Sequence, residues 1–461
     1  MKAIKLMPRA LKTVVVLVAA VLLAGGWAVT VSAQVTKAGQ ETVFPELNRA
    51  IMTEIIDSIS GALNEVYVFP ETARKMEEQL RTKLKENNYD AIKSLPEFTQ
   101  QLTADLREIS RDRHLSIGLY DPSDLTLTEI DTVTDAQSEE LYRQLSYNNF
   151  DFIKVEWMPG NIGYMKFNSF NEASLAGETA ASALGFLAHC DALIIDLRDN
   201  GGGSPSLIQF ITSYFFEETV HLNSFYIRQT DSIQQFWTSG YVPGKKMTKV
   251  DLYVLTSSFT FSGAEEFTYN LKNLKRATII GETTGGGAHP VEGRIFPNLY
   301  ISMSLPYGRA INPISGTNWE GTGVDPDIKV PRDRALDVAY REAINKLYEK
   351  VEDDDVKANL EWVKTGIDSK MNPVKLDAKV AKKYTGIYGP RTIIFENGEL
   401  YYQRENRPKY KMIPMSDNLF RFDELDYFRL EVVKDNNGHP VELVGHYQGG
   451  YKDISPRTDK K

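Results

Sequence analysis

The sequence predicts an α/β protein: a helical domain leads, a largely parallel sheet covered on both faces follows, and a small antiparallel β domain ends the chain. Three patterns carry that prediction. Between residues 150 and 345, apolar runs of strand length alternate with helical patterns, the mark of a parallel sheet with helices on its faces. Ahead of them, between 44 and 110, apolar residues recur every four positions, as on a helix face buried along one side. Behind them, from 376 onward, short strand-like arms flank turn residues, as in hairpins.

In chain order, "MKAIKLMPRALK" is basic, "TVVVLVAAVLLAGGWAVTV" is apolar, and small residues precede Gln34. This is the pattern of a secretory signal peptide over residues 1–33, cleaved after Ala33. An uncleaved anchor is the alternative, since the apolar run is long enough to cross a bilayer. Cleavage takes four basic residues and no acid, moving the net charge from −9 to −13. Such a chain offers no basic surface for nucleic acid. Cys190 is the only cysteine, so neither an internal disulfide nor a cysteine metal site can form.

The helical domain is expected over 37–145. Leu47, Ile51, Ile55, Ile59 and Leu63 share one face, as do Met76, Leu80 and Leu84. Ser94 and Glu97, with Pro96 between them, open a third helix carrying Phe98, Leu102 and Leu106. The core is expected over 150–345. Its strands are "NIGYMKF", "DALIIDLRD", "KVDLYVLTS" and "RATIIGE", with helices after the first three. Residues 346–375, with "EDDD", read as a charged linker, and 376–461 as the β domain.

Chemistry concentrates where buried strands end. "SFTFSGAEEF" follows a strand, and Ser262 and Glu265 have the spacing of a capping box. The same hydroxyl, at the mouth of a helix, could be a nucleophile favoured by the helix dipole. Two glycine-rich turns, "DNGGGS" at 199–204 and "TTGGGAHP" at 283–290, also follow strands. Such turns present N–H groups to an anion. Neither ends in the GK[ST] of a phosphate loop, so the other reading is an oxyanion hole, which requires a nucleophile nearby.

"DALIIDLRDNGGG", "YVLTSSFTFSGAEEF" and "IIGETTGGGAHP", in that order, resemble the core of the C-terminal processing (tail-specific) serine peptidases. The likeness is to the branch that includes tricorn protease and the interphotoreceptor retinoid-binding protein modules. "NEVYVFPETARKM" and "RDRHLSIGL" in the helical part are similar to it too. The resemblance implies a crotonase-like core with Ser262 as nucleophile. Many relatives place a lysine base in the second glycine turn, where this chain has Gly287. The tricorn-like branch uses a histidine from the N-terminal part and a late glutamate, matched here by His114 and Glu320. That branch has a hydroxyl residue just before the histidine; here it is Arg113, with Ser116 as a possible stand-in. His289, in the second turn, is the rival base. Gly263 and either Gly202 or Gly201 would donate the oxyanion bonds. Asp196 and Arg198 are expected to pair structurally, Asn200 to shape the first turn, and Trp319 to belong to the core.

The function this implies is an exported, periplasmic or extracellular serine peptidase acting on polypeptides. No cofactor, metal, nucleic-acid partner or stable membrane insertion after cleavage is expected. The tail is similar to lipocalin-like domains appended to exported hydrolases. The alternative function is a non-catalytic carrier of apolar ligands on the same fold.

Overall fold

The computed structural model describes residues 44–121 and 135–459. The expected signal peptide lies outside them. Among the described residues no helix is long and apolar enough to cross a membrane.

Three helices come first: α1 (Arg49–Val66), α2 (Pro70–Lys85) and α3 (Leu95–Ser110). Asn48 caps α1, its side chain accepting from the N–H groups of Ala50 and Ile51. Ser94 caps α3 by accepting from Glu97 N–H, as the sequence predicts. The four-residue repeats bury Ile55, Ile59 and Leu63 of α1, Met76 and Leu80 of α2, and Phe98, Leu102 and Leu106 of α3.

This helical core is closed by strands from far along the chain. β1 (Ser116–Leu119) pairs antiparallel with β10 (Ile301–Pro306), which pairs with β9 (Val291–Phe296). The alternate residues Ile301, Met303 and Leu305 point into the helical cluster. The N-terminal unit is therefore completed by residues assigned from sequence to the core. After it, α4 spans Asp135–Tyr147.

The main sheet is six-stranded: β2 (Phe152–Met158), β3 (Ile162–Phe167), β4 (Ala192–Asp196), β7 (Asp251–Thr256), β8 (Ala277–Gly281) and β12 (Ile328–Lys329). Its order is β12-β8-β7-β4-β3-β2. The pairs from β3 to β12 are parallel, but β2 runs antiparallel to β3. On one face lie α5 (Ala173–Phe186), α6 (Pro205–Thr212) and α7 (Gly263–Asn273). The period of two along a strand sorts β4: Leu193 and Ile195 join that face, Ala192 and Ile194 the other. A further antiparallel sheet, β11-β5-β6, is built from Gly308–Ile311, His221–Ile227 and Ser232–Trp237.

The crotonase-like α/β core implied by the resemblance is not the architecture found. The main sheet is mixed, and two antiparallel three-stranded sheets are grown from its connections. Strand–helix alternation exposed the parallel strands but said nothing of where the connecting hairpins pair.

The second face of the main sheet is covered by α8 (Ala335–Lys350) and α9 (Asp354–Met371). Residues 346–375 are thus no linker. The acids of "EDDD" cap and open α9, with Asp353 accepting from the N–H groups of Asp355 and Val356. Leu360, Val363 and Ile367 recur on its buried face. After α10 (Ala378–Tyr384), the tail forms antiparallel sheets of four and five strands around a core of its own.

Candidate active site

β7 delivers the chain to Ser262 through a tightly bonded turn. Ser257 Oγ donates to Arg198 O at 2.6 Å, and Thr260 Oγ1 donates to Leu197 O at 2.8 Å. Phe261 N–H donates to Asn200 O. The turn is thereby fastened to the end of β4. Ser262 then adopts φ 53° and ψ −122°, a region costing a residue with a Cβ about 1–3 kcal/mol. Strain of this kind holds a side chain out of the turn, ahead of helix α7. The expected capping box of Ser262 and Glu265 is found here, with Glu265 Oε2 accepting Ser262 N–H at 2.8 Å.

Glu265, which sequence reading took only as a cap partner, is the hub of the site. Its buried carboxylate also accepts from Thr284 Oγ1 at 2.5 Å, Gly286 N–H at 2.6 Å and Gly287 N–H at 2.8 Å. Burial pushes its pKa up to about 7, against these four bonds, which all favour the ionised form. One side chain thus ties the Ser262 turn to the second glycine turn. The spacing signal was visible; its longer reach was not.

The first glycine turn packs against the same point. Gly202 has φ +108°, and a Cβ there would lie 2.7 Å from both Gly263 N and Ser262 Cβ. Only glycine permits that approach. Its own N–H donates to Asn200 Oδ1 at 2.9 Å, and Gly201 N–H donates to Asn168 O at 3.2 Å. Both expected donors are therefore already spent within the turn that Asn200 shapes. Gly263 and Gly203 N–H have no acceptor among the described residues. Gly203 N lies 3.0 Å from where a Cβ on Gly263 would stand.

His114 packs its ring on Phe261, centroids 4.6 Å apart. Both ring nitrogens are buried without a partner. Burial drives its pKa down to about 4, so the ring is neutral near pH 7. Gly287 lies against it: a Cβ at 287 would stand 2.6 Å from His114 Cε1 and 2.3 Å from the Phe261 ring.

Glu320 Oε2 accepts Ala288 N–H at 2.6 Å, and its Oε1 is buried and unpaired. Burial, then repulsion from Asp112, raises its pKa to about 7. Its nearest imidazole is that of His289, whose Nδ1 is 3.6 Å from Glu320 Oε2 and 2.6 Å from Asp112 Oδ2. Burial is the largest influence on His289 and opposes its charged form, but the bond to Asp112 and the negative charges of Asp112 and Glu320 together outweigh it and raise the pKa. Burial is likewise the largest influence on Asp112 and opposes its ionisation, but the bond and charge of His289, with His114 and its N–H, together hold the pKa below the usual carboxylate value. Asp112 was missed from sequence, although it stands two residues before His114.

Arg113, found where a hydroxyl was expected, donates to Gly285 O and covers the Phe261 ring. It braces the second glycine turn. Ser116 sits in β1 opposite Ser304, and no bond joins it to His114 or Glu320 among the described residues. Trp319 is buried and donates to Gly287 O at 2.7 Å, a framework role. Asp196 and Arg198 pair at 2.6 Å, as expected.

Comparison with known proteins assigns the family and the fold. The model of peptidase family S41 matches residues 161–330, and that of the N-terminal domain of peptidase S41 in eukaryotic IRBP matches 45–150. Carboxyl-terminal-processing peptidase 2, chloroplastic, of Arabidopsis thaliana is 31% identical over 178 residues, covering 37% of this chain and 32% of that protein. The chain thus spans about a third of the length of that curated relative. A peptidase structure from Parabacteroides merdae aligns over 64% of this chain and 97% of its own, with 19% identity and a TM-score of 0.46. Tricorn protease aligns over 65% of this chain and 37% of its own, with 13% identity and a TM-score of 0.43. The S41 core model falls on the parallel strands β3 to β12 and both glycine turns, and the N-terminal model on the helices that β9 and β10 complete, so the fold is the S41 peptidase type and not crotonase-like. The chain belongs to peptidase family S41, a family of serine-type peptidases.

Proposed function

We propose that this chain is an exported peptidase that cleaves polypeptides through an acyl-enzyme on Ser262. Ser262 Oγ attacks the scissile carbonyl, and neutral His114 takes its proton, then returns it to the leaving amine. Glu320 orients and compensates the imidazolium through its unpaired Oε1. Gly263 N–H, with Gly203 N–H in place of the spent Gly201 and Gly202 donors, receives the oxyanion. Export rests on the basic, apolar and small-residue pattern of residues 1–33.

The observation that carries the choice of base is the contact at Gly287. The space a lysine at 287 would need is filled by His114 and Phe261, so an amine and this imidazole exclude each other. The chain carries the imidazole. Two buried orphan groups, the His114 ring and Glu320 Oε1, flank the same two residues, Gly287 and Ala288. That placement supports their pairing during turnover.

The test is labelling with a fluorophosphonate and mapping of the adduct. Ser262 should carry it, and Ser262→Ala should abolish both labelling and peptide hydrolysis while the circular dichroism spectrum stays native. His114→Ala should slow hydrolysis by several orders of magnitude. Turnover retained in Ser262→Ala would end this reading.

A further inference from the structure

We propose that Asp112, His289 and Glu320 form an inhibitory site for a divalent transition-metal ion, with zinc as the best match. One ligand atom from each residue lies within 4.8 Å of the other two. The set is one imidazole and two carboxylates, a donor combination that zinc accepts as three protein ligands with a fourth position open. Tetrahedral ligands at zinc distances stand roughly 3.3 Å apart. The 3.6 Å between His289 Nδ1 and Glu320 Oε2 is near that spacing. The 2.6 Å between His289 Nδ1 and Asp112 Oδ2 must open slightly once a metal replaces the shared proton.

Burial separates this cluster from ordinary acidic surface groups. The side chains of Asp112, His289 and Glu320 are 1%, 5% and 18% exposed. Within the same Glu320 carboxylate, Oε1 is buried with no hydrogen-bond partner. The outer shell is in place as well. Asp112 Oδ1 accepts His114 N–H at 3.0 Å, Tyr67 OH donates to Asp112 Oδ2 at 3.3 Å, and Ala288 N–H donates to Glu320 Oε2. Bonds of that kind fix the orientation of metal ligands.

Binding exchanges the proton on His289 Nδ1 for the metal and releases it to solvent. While the metal is bound, Glu320 is held on the His289 side and is withheld from His114. That consequence for hydrolysis rests on the proposed function; the binding itself does not.

The experiment uses the chain lacking residues 1–33, zinc chloride, and a chromophoric chelator as competitor. One zinc per chain should bind. X-ray absorption at the zinc edge should show a single imidazole with oxygen ligands, and cobalt substitution should give tetrahedral visible bands. His289→Gln should weaken zinc by more than the roughly 10–100-fold that outer-shell losses cost. Asp112→Asn provides the same test should His289→Gln not fold. Zinc should inhibit wild-type hydrolysis reversibly, with chelator restoring it. Absence of stoichiometric binding, a first shell with two or more imidazoles, or unchanged affinity in both variants would overturn the site. Binding at His289 without loss of hydrolysis would uphold the site and overturn the role given to Glu320.

Discussion

Replacing Glu265 by glutamine isolates the hub beneath Ser262, the proposed nucleophile. Each carboxylate oxygen accepts two donors: Ser262 and Gly287 N–H on Oε2, Thr284 Oγ1 and Gly286 N–H on Oε1. The Thr284 hydroxyl cannot readily reverse: its oxygen accepts Val324 N–H at 2.7 Å, and turning it to accept a second donor would leave its proton buried without an acceptor. A glutamine amide must therefore point its NH2 at two donors, whichever way it turns. Two charge-assisted bonds are lost, at about 1.5–3 kcal/mol each. That is about 3–6 kcal/mol of local stabilisation, a large share of a typical folding free energy of about 5–15 kcal/mol. The loss is local to two turns, so they should shift relative to each other before the chain unfolds. A displacement of about 1 Å between reacting groups costs roughly 100-fold in rate. Steady-state hydrolysis of a fluorogenic polypeptide should show kcat down by roughly that factor, with KM changed little. The thermal midpoint should fall, and fluorophosphonate labelling of Ser262 should slow in parallel with kcat. A kcat within threefold of wild type would refute the assignment of Glu265 as the residue that positions the two turns.

Three other outcomes follow from the coordinates. Gly287→Ala should lower kcat at least tenfold, since its Cβ would stand 2.6 Å from His114 Cε1; Gly61→Ala, with nothing within 4 Å of the new Cβ in α1, is the neutral control. Glu266 is buried, and desolvation raises its pKa to about 7 from 4.5. The native state then keeps a proton that the unfolded state has lost, so stability should decline as pH rises from 4.5 to 7, by up to about 3 kcal/mol from this group. Denaturant titrations across that window should show the slope reduced in Glu266→Gln. Leu360→Ala should cost about 2–5 kcal/mol, because Leu360 is 3% exposed beneath the main sheet; a linker residue would cost nothing measurable by the same titration.

What the sequence made legible was what repeats or punctuates. The period-four faces of α1 to α3, the Ser94 cap and the apolar strands of the main sheet could be read because each is a local pattern. So could the strand–turn–helix around Ser262 and the pairing of Asp196 with Arg198, two residues apart. Contacts between distant segments were hidden. Nothing in "YISMSLP" says that its alternating residues finish a core begun more than two hundred positions earlier. The acids of "EDDD" suggested solvent, yet they cap a helix whose next turns are buried. The site followed the same division. Ser262, His114, Glu320 and the glycine turns came from motifs, whereas the reach of Glu265 to Gly286 and Gly287, and of Asp112 to His289, exists only after folding. A glycine-rich string likewise does not reveal that the turn itself consumes the N–H groups of Gly201 and Gly202.

Helix α9 reaches beyond the sheet it covers. On its other side Trp362 Nε1 donates to Asp426 O, and the guanidinium of Arg429 sits 3.8 Å from the Trp362 ring centroid. Arg429 is buried, bonded to Thr365 Oγ1 and Trp362 O, and burial lowers its pKa to about 10. The helix is thus a party wall, with the main sheet and α8 on one side and the β tail on the other. Trimming the chain at 376 would not detach an accessory module. It would uncover the rear of the wall and leave α9 held from one side only, so any loss of the tail, by engineering or by proteolysis, should loosen the face of the sheet opposite Ser262.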